Sequence, residues 1–488
     1  MFKLFCNRPL GSIDMLSALS RRTIVSNPWM IFLSTAFVVS LAVIDAGVIN
    51  VALPILSHYF DVNFQIIQWL ITAYLFAVCL MIPIAGRLSD VFSKRQTYLF
   101  GIAVFIIGSF LCSIATQIHE FIFFRVIQGI GASFLLANTQ AILMHTFPKA
   151  LRGRALGINS MIVACGAIVG PSLGGFLIQF LGWRSIFYIN IPIGLLGYLG
   201  TFIYLKQDEK TTREQIDFSG MGLFAISLLL FLSLLSHEEL WRAGYITYLL
   251  VILFFVFSAL FIKRELTVLM PFITLSLFRI YSFLFGTVNM FFMNLISMIN
   301  SILLPYYLMS VKLFNPAIVG LFLLISPLFV GVFAPLSGYV GDRTQRFIFL
   351  QQLGAVGFII ALSLISLYNL HTSILFVVIS QSLLGIGMGI YLSPNNYLTF
   401  SDVSSTKIGV ASGLAAFARN FGRIIGVTLC SAVLQIARAM LLKNATGQLV
   451  HYPQVIVLSN KILMILSIVF SVGILFLSSV NTVEKKRV

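Results

Sequence analysis

Fourteen runs of about twenty apolar residues follow one another along this chain, separated by short connections that hold most of its charge. A helix of this length crosses a bilayer, because each residue adds about 1.5 Å and the hydrocarbon core is about 30 Å thick. Only 9% of the residues are charged, against about 25% in soluble domains. We therefore predict an all-α polytopic membrane protein. The predicted spans are 31–56, 65–85, 97–117, 121–146, 153–180, 185–205, 219–236, 244–263, 282–309, 316–340, 348–368, 373–400, 408–437 and 458–481.

The basic residues predict the orientation of these spans. If both termini lie in the cytoplasm, most of the 31 Lys and Arg residues fall on the cytoplasmic side. Cytoplasmic loops carry the excess of Lys and Arg, so we predict a multi-pass protein of the cytoplasmic (inner) membrane with both termini in the cytoplasm. The net charge of +16 could also suit nucleic acid. Because the basic residues form short clusters between spans and no basic domain, we predict contact with the lipid bilayer and none with nucleic acid.

A short motif occurs twice and predicts two halves. GRLSDVFSKR at 86–95 recurs as GYVGDRTQR at 338–346, each with Gly-x-x-x-Asp at the cytoplasmic end of a second span. So short a motif could recur by chance, but its position in the two halves matches. Parallel repeats are a transporter architecture, with the substrate site between the halves. The predicted divisions are a cytoplasmic segment at 1–30, a six-helix bundle at 31–205, a linker with two inserted helices at 206–264, a second six-helix bundle at 265–481 and a cytoplasmic tail at 482–488.

One carboxylate stands inside the first span, in the stretch LAVIDAGVINVALP at 41–54. Of the fifteen acidic residues, Asp45 alone falls deep within a predicted span. An ionised Asp at that depth costs about 2.5–3.5 kcal/mol, so such a group usually faces the bundle interior and protonates or pairs. Arg125 lies at a similar depth in the fourth span, and we expect the two to meet. We hypothesise that Asp45 carries a coupling proton and that Arg125 tunes it; the alternative is a permanent structural ion pair.

Four stretches resemble motifs of the major facilitator superfamily, and specifically of its fourteen-span drug:proton antiporter family. They are IDAGVINVALP at 44–54, RVIQGIGAS at 125–133, GAIVGPSLGG at 166–175 and GWRSIFYINIP at 182–192. The resemblance covers residues 41–440 and implies the major facilitator fold, with two six-helix bundles plus two inserted helices, fourteen transmembrane helices in all. It also implies export of drugs in exchange for protons by alternating access.

The repeated motif is similar to the cytoplasmic gate motif of that family. The resemblance assigns this role to Gly86, Asp90, Lys94, Arg95, Gly338, Asp342 and Arg343. The first copy departs from the family pattern, because Val91 stands where Arg is usual and Ser93 where Gly is usual. The second copy keeps the Asp-Arg pair.

The stretch at 166–175 is similar to the antiporter motif of the family. Glycines four residues apart on one helix face let a neighbouring helix approach closely, and a proline kinks the helix and frees a backbone carbonyl. One interpretation is a hinge or seal that biases the carrier toward export. The other is tight packing alone, and the two are compatible. The motif residues are Gly166, Gly170, Pro171, Gly174 and Gly175.

Polar and aromatic side chains at bilayer depth are candidates for a substrate cavity, although aromatic residues in spans more often face lipid or core. The candidates are Asn50, Trp69, Tyr74, Asn138, Gln140, Asn289, Asn294 and Asn395. Arg419, Asn420 and Arg423 lie one turn apart in the thirteenth span. They either extend to the membrane surface or pack there, which we favour, or receive an anionic substrate group.

These features predict a proton-coupled secondary transporter that exports small amphipathic or lipophilic compounds, of the multidrug efflux type. Two alternatives use the same machinery: a dedicated exporter of an endogenous metabolite such as a siderophore, and a proton-coupled importer. We expect a monomer whose partners are the small-molecule substrate, protons and the bilayer. Association with a periplasmic adaptor protein is left open.

Other function classes lack their signatures in the sequence. A channel would need rings of charge along its pore, and an enzyme would need a grouped nucleophile, base or set of metal ligands. The six histidines lack metal-ligand spacing, and there is no Gly-x-x-x-x-Gly-Lys-Ser/Thr motif for ATP. We therefore predict no enzyme activity, no cofactor and no metal.

Overall fold

The computed structural model describes residues 28–206, 217–236, 245–268, 275–404, 408–444 and 452–485. Most of the predicted segment at 1–30 and the last three residues of the predicted tail lie outside these ranges. The regular structure of the described residues is helical throughout. The helices are α1 (Pro28–Tyr59), α2 (Phe64–Ile67), α3 (Trp69–Val91), α4 (Lys94–Ile114), α5 (Ile118–Thr146), α6 (Lys149–Leu181), α7 (Ser185–Tyr188), α8 (Asn190–Tyr204), α9 (Phe218–Ser236), α10 (Tyr245–Thr267), a 3₁₀ turn (Leu275–Arg279), α11 (Tyr281–Ser310), α12 (Pro316–Thr344), α13 (Phe347–Ser366), α14 (Ile374–Phe400), α15 (Ile408–Asn444) and α16 (Tyr452–Lys485).

Every predicted span overlaps a helix or, for 65–85 and 185–205, two consecutive helices, and the class of fold is confirmed. Twelve helices in the described ranges are long and apolar enough to cross a membrane, so the chain is a multi-pass membrane protein. Two further apolar helical stretches, Val169–Leu181 and Phe218–Phe231, are shorter than the length needed to cross a membrane within the described ranges. The count of fourteen transmembrane helices therefore stays a prediction.

Local chemistry explains where the helices begin and end. α12 begins where predicted because Asn315 accepts a hydrogen bond from the backbone N–H of Ile318 at 2.9 Å and Pro316 occupies the first turn. α15 continues seven residues beyond its predicted end, to Asn444. The added residues include Arg, Met, Leu and Lys, which favour helix. The helix therefore extends beyond the apolar run that defined the predicted span.

The long helices pack as two groups. In the first, α1 packs against α6 and α8, and α5 packs against α3 and α4. In the second, α11 packs against α15 and α16, and α14 packs against α12 and α13. We call these the first and second helix groups. Their membership follows the predicted halves, while the residue bounds of the predicted domains stay a prediction.

α9 and α10 pack against each other and lie at the side of the bundle. Their ends at one side are joined by an ion pair in which Arg264 Nη2 lies 2.6 Å from Asp217 Oδ1. The hydrogen bonds from Arg264 hold the pKa of the Asp217 carboxyl below its ordinary value. α9 touches α15 through ring contacts such as Phe224 on Phe417. Most of α10 is exposed, as expected of a helix that faces lipid.

The two helix groups meet at one end of the bundle. We call the end that carries Lys94, Arg95 and Arg343 the basic end, and the opposite end the far end. At the far end, α6 packs against α12 so closely that a Cβ on Gly175 would overlap the Pro316 carbonyl oxygen. In the far-end half of α1, Asn50 Nδ2 donates a hydrogen bond of 2.7 Å to Ser301 Oγ of α11. The far end is therefore closed between the groups.

We predict that Gly175→Ala opposes closure of the far end, because its new methyl group would meet backbone that cannot yield cheaply. The variant should populate the opposite state, closed at the basic end. The measurement uses Gly413→Cys, at an open position in the basic-end part of α15, in a chain whose five native cysteines are replaced by Ser. Modification by a water-soluble maleimide should slow by about threefold or more.

The matched control is Gly473→Ala, because a Cβ at that position of α16 meets no atom within 4 Å. It should leave the modification rate of the Gly413→Cys reporter unchanged. An unchanged rate in Gly175→Ala as well would contradict the role given to the contact between α6 and α12.

Candidate functional site

A central cavity of about 1160 Å³ lies between the two helix groups. Both groups line it, with α1, α3 and α5 on one side and α11, α14 and α15 on the other. Its lining includes Gly86, Ser89 and Gly413 from the basic end, while the groups touch at the far end. The volume slightly exceeds the usual range for small-molecule sites, about 300–1000 Å³. The cavity is therefore large enough for a drug-sized molecule that enters from the basic end.

Asp45 and Arg125 meet at the wall of this cavity. Arg125 Nη1 lies 2.7 Å from Asp45 Oδ2, and Arg125 is fully buried while Asp45 is 4% exposed. The other carboxylate oxygen accepts hydrogen bonds from Gln128 Nε2 at 2.9 Å and from Asn190 Nδ2 at 3.0 Å. Both amide groups also donate to Ser109 Oγ. One charge on α1 thus joins side chains from α4, α5 and α8.

Arg125 connects the carboxylate to α3 and to the lining of the cavity. Its Nε donates to the Leu70 carbonyl at 3.0 Å, and its guanidinium lies 4.3 Å from the centre of the Tyr74 ring. Arg125 and Tyr74 line the cavity, whereas Asp45 does not reach its surface. Arg125 Nη2 is buried and has no hydrogen-bond acceptor in the described part of the chain.

The second helix group contributes a pair of amides that the sequence did not single out. Asn300 and Gln381 exchange two hydrogen bonds of 3.1 Å between α11 and α14, and both line the cavity. The sequence feature that could have identified them is the presence of two polar residues within apolar spans. The sequence does not show that their side chains point toward the cavity.

Arg419, Asn420 and Arg423 line the cavity, contrary to the favoured expectation that they reach the membrane surface or pack. Depth explains the difference. Arg423 is fifteen residues into α15, about 22 Å along the helix, which is too far for an arginine side chain to reach the membrane surface. The electrostatic surroundings of Arg423 include Tyr74 and Cys79 of α3, so it faces the first helix group. No ion pair joins either arginine to a described acidic residue.

Three predicted cavity residues line the cavity and four do not. Those that line it are Asn50, Tyr74 and Asn138. Those that do not are Trp69, Asn289, Asn294 and Asn395. The side chain of Gln140 lies outside the described residues.

Packing accounts for the residues that do not line the cavity. Asn395 is buried where α14 meets α13 and α11, because it accepts from Gln351 Nε2 at 2.8 Å and donates to the Gly286 carbonyl at 3.4 Å. Asn294 donates to the Met290 carbonyl of its own helix. Asn289 is also buried, and Trp69 is half-buried at the far end of α3. Depth alone did not predict which way these side chains face.

The antiporter motif lies where α6 contacts α1 and α12. The nearest atoms to a Cβ on Gly166, Gly170 or Gly174 all belong to α1, near Ser40, Ile44 and Val48. Gly175 instead faces α12. Pro171 lies within the continuous helix, contacts Gly47 and lines the cavity. The motif therefore combines tight packing with the far-end closure between the helix groups.

The gate-motif residues lie at the basic end. Arg95 Nη2 donates to the Phe202 carbonyl at 2.6 Å, at the end of α8. Gly338 faces Ser393, and Asp342 and Arg343 are exposed. Lys94 begins α4, Gly86 borders the cavity, and the side chain of Asp90 lies outside the described residues. The gate role of these residues stays a prediction.

Helices in two groups around a central cavity, with a buried ion pair at its wall, are an architecture of secondary transporters. The sequence model of the protein family described as Major Facilitator Superfamily matches residues 35–427 of this chain. The chain therefore belongs to the major facilitator superfamily of small-molecule transporters, not to a class of enzymes. Membership of the narrower fourteen-span family stays a prediction.

Similar proteins include one named as a riboflavin transporter and one named as a multidrug resistance protein. The chain is 29% identical over 412 residues to the riboflavin transporter RibZ of Clostridioides difficile, covering 83% of this chain and 88% of that protein. It is 29% identical over 395 residues to the multidrug resistance protein Stp of Mycobacterium tuberculosis, covering 80% and 73%. A bacterial homologue of the human lysosomal transporter Spinster, solved in an inward-facing, unoccupied conformation, has the same fold, with TM-score 0.68 and 16% identity over 94% of this chain and 98% of that one.

We predict that the Asp45–Arg125 pair is energetically coupled. Removing one member leaves a buried charge without its partner, which costs about 3–5 kcal/mol, whereas replacing both removes the charge altogether. Asp45→Asn and Arg125→Gln should each lower the melting temperature of the purified protein more than the double variant does. The measurement is thermal unfolding in detergent, with the exposure of buried cysteine thiols as the signal. Equal or additive losses would contradict direct coupling between the two charges.

Proposed function

We propose that this chain is a proton-coupled exporter of small amphipathic or lipophilic compounds that works by alternating access. The observation that carries the proposal is the buried Asp45–Arg125 ion pair at the wall of the central cavity. A titratable pair at bilayer depth is a typical proton relay of transporters. The relative named a multidrug resistance protein supports efflux as the process.

The proposed cycle uses Asp45 as the proton carrier. Protonation of Asp45 removes one charge of the pair and releases the Arg125 guanidinium from its strongest acceptor. Arg125 also binds Leu70 and lies on Tyr74, which are both on α3. Its release therefore changes the contact between α1, α5 and α3, which line one side of the cavity. This change alters the relative stability of the state open at the basic end and the state open at the far end.

The proton gradient supplies enough free energy for export. One proton crossing 100 mV releases about 2.3 kcal/mol, and a tenfold concentration ratio costs about 1.4 kcal/mol. One proton per molecule therefore supports an outward ratio of about fiftyfold for a neutral substrate.

The proposal places the protein in the cytoplasmic (inner) membrane, with both termini and the basic end in the cytoplasm. The observed state, closed at the far end, is then inward-facing. It acts as a monomer of fourteen transmembrane helices, and a periplasmic adaptor is not required by the cycle. The positive-inside distribution of Lys and Arg supports this orientation.

A second candidate is transport of one specific metabolite, supported by the relative named a riboflavin transporter. Export of a dedicated metabolite and proton-coupled import both fall under this candidate. A deletion strain separates exporter from importer: loss of an exporter sensitises cells to its substrates, and an uncoupler removes that protection in the parent strain. Loss of an importer instead impairs growth on its nutrient.

We predict that Asp45→Asn abolishes substrate-driven proton movement in proteoliposomes, because an amide cannot carry the proton. The readout is a pH-sensitive dye in vesicles given a transported compound. Asp61→Asn is the matched control, since Asp61 is exposed in the turn after α1 and the substitution is chemically identical. It should retain proton movement. Undiminished proton movement in Asp45→Asn would exclude Asp45 as the carrier.

A further inference from the structure

We propose that the cavity binds an organic anion through Arg419 and Arg423. This inference rests on the proposed transport function and names the charge class of its substrate. The two arginines lie four residues apart on α15 and both line the cavity. Residues four apart are neighbours on a helix surface, and like charges in that arrangement repel each other. A shared anion between them would remove that repulsion.

The described side chains of the cavity offer these arginines no counterion. The charged residues among them are Arg125, Arg419 and Arg423, and no carboxylate lines the cavity in the described ranges. Asp45, which lies behind the wall, is already bound by Arg125. Two positive charges of α15 are therefore left without an anionic partner, in a site partly shielded from water.

The hydrogen-bonding capacity of the arginines is also largely unused. The one described hydrogen bond of Arg419 runs from Nη1 to the Met290 sulfur at 3.5 Å, and thioether sulfur is a weak acceptor. Arg423 donates no hydrogen bond to another described residue. A guanidinium presents its N–H groups in a planar fork that matches a carboxylate or phosphate. The site is therefore suited to these anionic groups.

The surroundings indicate that the anion is attached to an apolar body. Phe417 and Leu414 line the cavity beside the arginines on α15. Ile296, Leu323, Leu384 and Met388 line it from other helices of the second group. A compound with an aromatic or aliphatic part and one anionic group would occupy both kinds of surface. Small inorganic anions would use only the arginines.

The test measures binding of three fluorescent probes that share one apolar group. They are dansylglycine, which is anionic, dansylglycinamide, which is neutral, and dansylcadaverine, which is cationic. Dansyl fluorescence rises in apolar surroundings, so binding to the purified full chain can be titrated directly. We expect dansylglycine to bind at least about tenfold more tightly than dansylglycinamide, equivalent to about 1.4 kcal/mol.

Substitutions test the assignment to the two arginines. Arg419→Gln and Arg423→Gln should each weaken dansylglycine binding about tenfold or more and leave dansylglycinamide binding unchanged. Arg423→Lys keeps the charge and should retain most of the anion binding. Arg438→Gln is the matched control, because Arg438 is exposed on the same helix, about 22 Å further along. It should bind all three probes as the parent does.

An anionic lipid headgroup shares the chemistry of a free organic anion, and nanodiscs distinguish the two. If lipid occupies the site, phosphatidylglycerol should compete with dansylglycine in the parent but not in Arg423→Gln, whereas phosphatidylcholine should not compete. If no phosphatidylglycerol competition appears, the occupant is the free anion. Both results support an anion site.

Three results would overturn the inference: no saturable binding of dansylglycine, binding no tighter than that of dansylglycinamide, or equal weakening of both probes by the Gln variants. Binding is measured without a proton gradient, so it does not depend on coupling. If the arginines bind the anion but Asp45→Asn still moves protons, the proposed coupling fails and the anion site stands.

Discussion

A charged carboxylate within a membrane-spanning helix has to be compensated by neighbouring groups, and the first helix group is organised around that requirement. Asp45 accepts hydrogen bonds from Arg125 and Gln128 of α5 and from Asn190 of α8. Ser109 of α4 receives the second hydrogen atom of both amides. Four helices thus depend on one charge, so a change in its protonation alters packing across the group. The hydrogen bonds that stabilise the ionised carboxylate therefore also connect its protonation state to the positions of these four helices.

α1 connects this network to the closure between the helix groups. Ile44, adjacent to Asp45, packs against Gly170 of the antiporter motif, and Val48 packs against Gly174 one turn further along. Gly175, on another face of α6, touches the Pro316 carbonyl in the second group. Because α6 contacts α1 through Gly170 and Gly174 and contacts α12 through Gly175, it connects the helix that carries Asp45 to the far-end contact. The two interpretations of the motif, packing and seal, therefore correspond to contacts on two faces of the same helix.

The sequence predicted what depends on hydrophobicity and depth. The positions of the helices and the meeting of Asp45 with Arg125 both follow from counting residues along apolar runs. It did not predict which polar side chains line the cavity, because each residue turns a helix by about 100° and the facing direction depends on neighbours. Asn294 and Asn300 are on the same helix but point in directions about 120° apart, and only Asn300 lines the cavity. For Arg423, depth was available from the sequence, but the side chain's direction toward α3 was not.

A positively charged cavity changes how substrate and proton can influence each other. A cationic substrate and a proton compete for one carboxylate, which gives exchange directly. An anion held by Arg419 and Arg423 would instead favour a proton on Asp45, because opposite charges attract through a weakly shielding interior. Exchange of an anion for a proton therefore cannot rest on charge competition and requires that the two be accepted in different conformations. Tyr74 is placed for such a role, since it lies on the Arg125 guanidinium and within the electrostatic reach of Arg423. Movement of this one ring would alter the surroundings of the proton site and the anion site together.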